Sequence, residues 1–195
     1  MRKLIIFTIF FAILSYLFFD TKIAYSLSKI DSWQKDIAIF ITRFGLSKYY
    51  IIISLIVAIT FYRFKRGISF ASFYIFLSII TSGLIINIIK FIVARYRPPL
   101  LLEQNLYGFN WFEHGYLVNS FPSGHATTAF AFYGSLALLF PKFKIFFLAI
   151  ALIIALSRVI LDVHYLSDVL IGSLIGYLSA YILYNKFYKV RIGEL

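Results

Sequence analysis

Long apolar runs separated by short polar patches make up most of this 195-residue chain. Crossing a bilayer takes about 20 mostly apolar residues, give or take a few. Six runs meet that requirement, at residues 4–19, 47–62, 68–93, 122–140, 144–161 and 165–185. Residues 21–45 follow another pattern. There Ile30, Trp33, Ile37, Phe40 and Ile41 recur at three- and four-residue steps among charged positions, which predicts an amphipathic helix lying in the membrane interface. The expected fold is therefore all-α: an integral membrane bundle of six transmembrane helices plus an interfacial amphipathic helix near the N-terminus. No internal repeat, low-complexity tract or Gly/Ser linker interrupts the pattern, so residues 1–195 read as one membrane-embedded domain. Arg2 and Lys3 precede the first run as they would in a signal peptide. However, Leu17-Phe18-Phe19-Asp20 offers no small-residue cleavage site, so this run reads as a retained helix.

Composition supports the membrane reading. Hydrophobic residues make up 62% of the chain and mean hydropathy is +0.88, whereas soluble domains are about 45–50% apolar. Cysteine is absent, which excludes a disulfide framework, a thiolate metal site and a cysteine nucleophile. A net charge of +11 would point to nucleic acid in a soluble protein, but here the location of the charges matters more than their sum. With six spans, one side receives ten cations (Arg2, Lys3, Arg63, Lys65, Arg66, Lys142, Lys144, Lys186, Lys189 and Arg191) against one acid, Glu194. The other side holds nine cations and seven acids. Lys and Arg favour the cytoplasmic side, so both termini are expected there. The unusual polar residues gather on the opposite, outward rim.

Three clusters meet at that rim. The first is Lys90 to Pro98, at the end of the third span. If the helix continues, Lys90 and Arg97 share a face two turns apart, with Asn87 and Gly83 deeper on the same face. Lys90 alone fits either an interfacial anchor or a site residue, and Arg95, pointing elsewhere, reads as a snorkelling anchor. The second is Phe121-Pro122-Ser123-Gly124-His125 at a predicted helix start, where free N–H groups attract anions. Gly124 permits close approach of a ligand, Ser123 adds a hydroxyl, and His125 stands beside this cradle. The third runs from Ser157-Arg158 through His164 to Asp168. His164 and Asp168 are four apart, so Asp168 can accept the Nδ1 proton of His164 and leave Nε2 as nucleophile or base. Gly172, Gly176 and Ala180 extend this stripe, and such small residues let helices approach closely. Three cations, an N–H cradle, two histidines and a carboxylate on one face suit a phosphoryl group. One histidine suits attack on phosphorus and the other protonation of the leaving group.

The ordered set resembles the type-2 phosphatidic acid phosphatases, also called the lipid phosphate phosphatase or acid phosphatase/haloperoxidase superfamily. The resemblance rests on Lys90-x6-Arg97-Pro98, Pro122-Ser123-Gly124-His125 and Ser157-Arg158-x5-His164-x3-Asp168, eleven fixed positions in order between residues 90 and 168. It implies that His164 attacks phosphorus and becomes a phosphohistidine, that Asp168 orients His164, and that His125 protonates the leaving oxygen and then activates water. It implies too that Lys90, Arg97, Arg158, Ser123 and the Gly124 amide hold the phosphoryl oxygens. No metal and no cofactor are implied. His114 matches no motif and reads as a surface residue.

The expectation is a metal-independent membrane phosphatase of lipid phosphate monoesters or diphosphates, such as undecaprenyl diphosphate, phosphatidylglycerol phosphate, phosphatidic acid or lipid A phosphates. A small six-span member of this kind resembles those of the bacterial inner membrane, which implies an active site facing the periplasm. A phosphotransferase between envelope lipids is the alternative. A transporter fits less well, because its polar residues would lie at mid-membrane in broken helices. The expected partners are the lipid substrate and the bilayer, with no nucleic acid and no obligate protein partner. The aromatic loop 98–121 is expected to anchor at the interface or to form a wall against the substrate's lipid portion.

Overall fold

The computed structural model describes residues 1–190, and Arg191 and Glu194 of the charge count lie outside them. Among the described residues the structure is helical, with one isolated β-bridge between Arg95 and Phe109. Helix α1 (Arg2–Phe18) bends by 64° into α2 (Asp20–Leu27). Helix α3 (Ser32–Thr42) starts at a reciprocal cap in which the Asp31 N–H donates to Gln34 Oε1 at 3.3 Å. Through the tight turn Arg43–Gly45 it leads into α4 (Ser47–Thr60).

The single interfacial helix expected over residues 21–45 is therefore not what forms. The stretch 28–31, with Ser28, Lys29 and Asp31, ends α2, and Asp31 caps a new helix by satisfying an N–H group that any helix start leaves free. One part of the expected helix extends α1, and the other runs with α4 as an apolar length from Ser32 to Thr60.

Helix α5 (Arg66–Val93) is the longest, and it stops where Ala94 turns left-handed at φ 38°. A short α6 (Pro98–Gln104) follows, then α7 (Gly124–Leu139), α8 (Lys144–Ile160) and α9 (Leu166–Leu183), the last prolonged by a wide turn to Tyr188. Four helical lengths among the described residues are long and apolar enough to cross a membrane: Ser32–Thr60, Arg66–Val93, Pro141–Ile160 and Leu166–Tyr188. The α1–α2 pair makes a fifth if the two helices are counted together across their bend. The six expected spans are thus found only in part by length. At 16 residues α7 measures about 24 Å, short of a hydrocarbon core of about 30 Å.

Helix α7 is the centre of the packing, against α5, α8 and α9. Small residues allow it: Ala126, Ala129, Ala131 and Ala137 are buried on α7, and Gly172, Gly176 and Ala180 face it from α9. A Cβ on Gly172 would stand 2.5 Å from the Ser123 carbonyl oxygen, and one on Gly176 would collide with the Thr127 carbonyl. The predicted glycine stripe is therefore the α7–α9 contact. Tyr74 of α5 donates to the Ala180 carbonyl at 3.0 Å, and Tyr50 of α4 stacks on Phe132 of α7 at 4.0 Å. Outward-facing apolar side chains such as Phe7, Ile59 and Ile145 remain exposed, as a lipid-facing surface requires.

Candidate active site

The first turn of α9 builds the site's centre. Tyr165 caps the helix, and its N–H donates to Asp168 Oδ2 at 2.9 Å. Ser120 Oγ donates to the same oxygen at 2.6 Å, while Oδ1 pairs with Arg95. Asp168 is fully buried. One residue before the cap, His164 is buried too, and its N–H and that of Val163 each reach the Arg158 carbonyl at 3.3 Å. Its Nδ1 lies 3.7 Å from Asp168 Oδ2. That is close enough for ion pairing but longer than a hydrogen bond, so the expected Nδ1–carboxylate bond is not formed. In resting enzymes such bonds are often long and tighten when substrate binds. Burial pushes the His164 imidazole down to about 3, with Asp168 pulling it partly back and Arg97 adding to the fall. The ring is therefore neutral at ordinary pH.

The α7 start comes against this centre. The Ser123 N–H donates to the Asp168 carbonyl at 3.1 Å, and Ser123 Oγ is buried without a partner. Gly124 and His125 open the helix. The His125 ring packs on Gly45, where an added Cβ would stand 2.7 Å from His125 Cδ2. Only glycine leaves this histidine its place.

Lys90 and Arg97 are not on one helix, because α5 ends at Val93. They meet instead at a carbonyl: Lys90 Nζ donates to the Asn119 oxygen at 2.7 Å and Arg97 Nη2 to the same oxygen at 3.3 Å. Arg97 Nη1 also donates to the Val163 carbonyl at 3.1 Å, and its guanidinium lies 4.0 Å from the Tyr116 ring. Arg158, at the end of α8, donates to Thr42 Oγ1 at 2.7 Å. The Nε groups of Arg97 and Arg158 have no partner, so each guanidinium keeps a donor for an anion. All eight predicted site residues thus belong to one rim, where the ends of α5, α7, α8 and α9 converge.

Arg95 is a correction. Instead of snorkelling it is wholly buried, paired with Asp168 and with Asp20 at 2.8 Å, and ringed by Tyr16, Tyr107, Phe109 and Tyr165 at 4.3–5.6 Å. Burial alone would lower its pKa, but the two carboxylates more than reverse this and raise it. Removing one member of such a buried pair costs about 3–5 kcal/mol. Asp20, Ser120, Asn119, Thr42 and Gly45 shape the site without belonging to any of the sequence motifs. Of these only Asp20 carried a signal, as a lone acid closing an apolar span. His114 is exposed, stacked on Phe91 at 4.8 Å.

Beneath Lys90 and His125 a cavity of about 400 Å³ runs between α4, α5 and α7. Ile51, Ile79, Ile80, Gly83 and Leu84 line its deeper part. No lining residue comes from the loop 98–121, and Trp111 and Phe112 are exposed.

Residues 71–192 match the model of the PAP2 superfamily. The chain belongs to this superfamily. It is 32% identical over 178 residues to a lipid A 1-phosphatase of Rhizobium etli, across 84% of this chain and 75% of that relative. It is also 32% identical to a lipid A 1-phosphatase of Rhizobium johnstonii, across 84% and 71%. Among solved structures, the PAP2 chain is similar to the transmembrane PAP2 type phosphatidylglycerolphosphate phosphatase of Bacillus subtilis, with a TM-score of 0.68 at 21% identity, covering 97% of this chain and 96% of that one. Aquifex aeolicus LpxE is similar with a TM-score of 0.63 at 22% identity, covering 84% and 93%. At these identities the structural likeness concerns the PAP2 fold. Its match to the curated relatives reaches back beyond the superfamily's own 71–192 segment into the N-terminal helices, since 84% of the chain exceeds that segment.

Proposed function

We propose that the protein is an integral membrane phosphatase that hydrolyses lipid phosphates through a phosphohistidine on His164. The observation that carries this reading is the continuity of the cation-lined rim with the apolar cavity below it. Lys90 and His125 border both, so one molecule can present phosphate to the histidines and hydrocarbon to Ile51, Ile79 and Ile80. In the first step the His164 Nε2 lone pair bonds to phosphorus as the bond from phosphorus to the leaving oxygen breaks. That oxygen takes its proton from His125. In the second, water adds to phosphorus as the P–N bond breaks, and His125 recovers a proton from the water. Lys90, Arg97 and Arg158 offset the charge on the phosphoryl oxygens, and the Ser123 hydroxyl and Gly124 amide complete the cradle. This division of labour needs no metal.

The names of the two rhizobial relatives put lipid A carrying a 1-phosphate first among the substrates to test, ahead of undecaprenyl diphosphate, phosphatidylglycerol phosphate and phosphatidic acid. Purified protein should release orthophosphate from such a lipid. His164→Ala should abolish release, and Asp168→Asn should slow it. Full activity of the His164 variant would refute the assignment. Phosphate appearing on an added acceptor lipid instead of in solution would mark a transferase.

We also infer six crossings in a bacterial inner membrane, with the termini cytoplasmic and the site periplasmic. The Asp20 end of α1, the Gly45 end of α4 and the site ends of α5, α7, α8 and α9 all reach one rim, as alternating spans would. The cation bias supports the direction. Cysteines introduced at Gly67 and Asn105 should label from opposite sides of intact cells, and labelling of both by an impermeant reagent would overturn this topology.

A further inference from the structure

Asp20 lies outside residues 71–192 that match the superfamily, and Arg95 occupies one of the variable positions between Lys90 and Arg97, not one of the eleven fixed ones. We propose that Asp20 and Arg95 together form a positioning element of the active site, fixing Asp168 and leaving it a net negative charge to set against His164. The inference rests on the reading of His164 as nucleophile and Asp168 as its partner.

The geometry divides the two oxygens of Asp168. Arg95 Nη1 takes Oδ1, so Oδ2 is the oxygen that faces His164. Arg95 is itself held from the far side. Its Nη2 donates to Asp20 Oδ2 at 2.8 Å and to Tyr107 Oη at 3.0 Å, and its Nη1 to Ser167 Oγ at 2.7 Å. Asp20 in turn accepts from Ser15 Oγ at 2.7 Å, from the Ser167 N–H at 3.1 Å and from Ser167 Oγ. The bend between α1 and α2 falls beside Asp20 and turns this carboxylate into the bundle. All three charged groups are fully buried.

Charge gives the arrangement its consequence. Two carboxylates against one guanidinium leave one negative charge in a dry site, where electrostatic effects are strong. A positive imidazolium develops on His164 as it bonds to phosphorus, and this residual charge stabilises it. Were Asp20 neutral, Arg95 would cancel Asp168 outright and His164 would lose that support. The hydrogen bonds that place Lys90, Arg97 and Arg158 do not involve Asp20 or Arg95.

The test uses the purified full-length protein, with lipid phosphate turnover and inhibition by inorganic phosphate measured side by side. Asp20→Asn keeps the shape and removes the charge. It should lower kcat roughly 10- to 100-fold while KM and the inhibition constant of inorganic phosphate, which binds without bonding to His164, stay within about twofold. Asp20→Glu should restore most of the rate. Wild-type kcat in Asp20→Asn would overturn the proposal. So would a rise in KM and in the phosphate inhibition constant that parallels the loss of kcat, since that marks a merely structural role. Should Asp20→Asn not fold, Ser15→Ala removes one hydrogen bond to Asp20 and should lower kcat alone, by about threefold; an unchanged kcat there would count equally against it. His164→Ala is measured alongside. If it retains activity, the underlying reading fails; if it is inactive while Asp20→Asn is unimpaired, only the present inference fails.

Discussion

Burial keeps the His164 imidazole neutral far below the point where an exposed histidine gains its proton, and only the neutral ring has a lone pair to give phosphorus. An unperturbed histidine titrates near pH 6.5, so a nucleophile of that kind would lose half its rate there and about tenfold per unit below. Here the pKa is pushed down to about 3. With a substrate whose leaving group needs no protonation, such as an activated aryl phosphate, phosphorylation of His164 should therefore stay level from pH 8 down to 5. A decline centred near 6.5 in rapid-mixing measurements would show that the ring is not desolvated in this way. The same shift has a cost in stability. The unfolded chain binds this proton below pH 6.5 while the folded one does not until about 3, so stability falls as pH drops through that window. At this scale the sequence was informative at the motif positions, which the fold gathers at one rim. It was silent on Gly45, Thr42 and Asn119, because a bare Cα, a hydroxyl or a carbonyl that shapes a site has no distinctive spacing.

Helices were legible where apolar length defines them and illegible where a few polar groups redirect the chain. The runs at 68–93, 144–161 and 165–185 correspond closely to α5, α8 and α9. The run starting at 122 gave α7, although two residues late, because Pro122 and Ser123 precede the helix and the Ser123 backbone is still extended. Residues 21–45 were misread because a periodicity of three to four does not reveal a break, whereas the Asp31–Gln34 cap does. The seven-residue step from Lys90 to Arg97 failed for a related reason. Helical spacing predicts a shared face only while the helix lasts, and the left-handed turn at Ala94 ends it. That turn lets Arg95 point into the bundle between two carboxylates and sends Arg97 back to Asn119, where Lys90 also arrives. The small-residue stripe on α9 was the most reliable inference of this kind. It depends on the absence of side chains at Gly172 and Gly176, and nothing downstream can reverse that.

For the molecule as a whole, the proposed function makes the arrangement of rim and cavity the means by which lipid and soluble phosphates would be told apart. The loop 98–121 was expected to wall the lipid portion, but the apolar space below the histidines lies between α4, α5 and α7, and Trp111 and Phe112 stand exposed away from it. With the phosphate held at the rim, a chain that enters this cavity is kept from water, which is worth about 0.8 kcal/mol per CH₂ relative to exposure, so barring even a few methylenes from it penalises a lipid substrate severalfold or more. Gly83 offers a clean way to test this. It lines the cavity about two turns below Lys90, and a Cβ built on it meets nothing within 4 Å. Gly83→Phe should therefore fill the space without displacing a packed neighbour, and replacing glycine within a helix favours the helix itself. The variant should lose most of its hydrolysis of long-chain lipid phosphates, by 10-fold or more if about two methylenes' worth of burial is forfeited. Cleavage of a small chromogenic phosphate at the rim should continue nearly unchanged. Trp111→Ala and Phe112→Ala should leave the ratio of the two rates where it is. If the loop variants narrow that ratio and Gly83→Phe does not, the hydrocarbon lies against the loop and the cavity has no part in choosing the substrate.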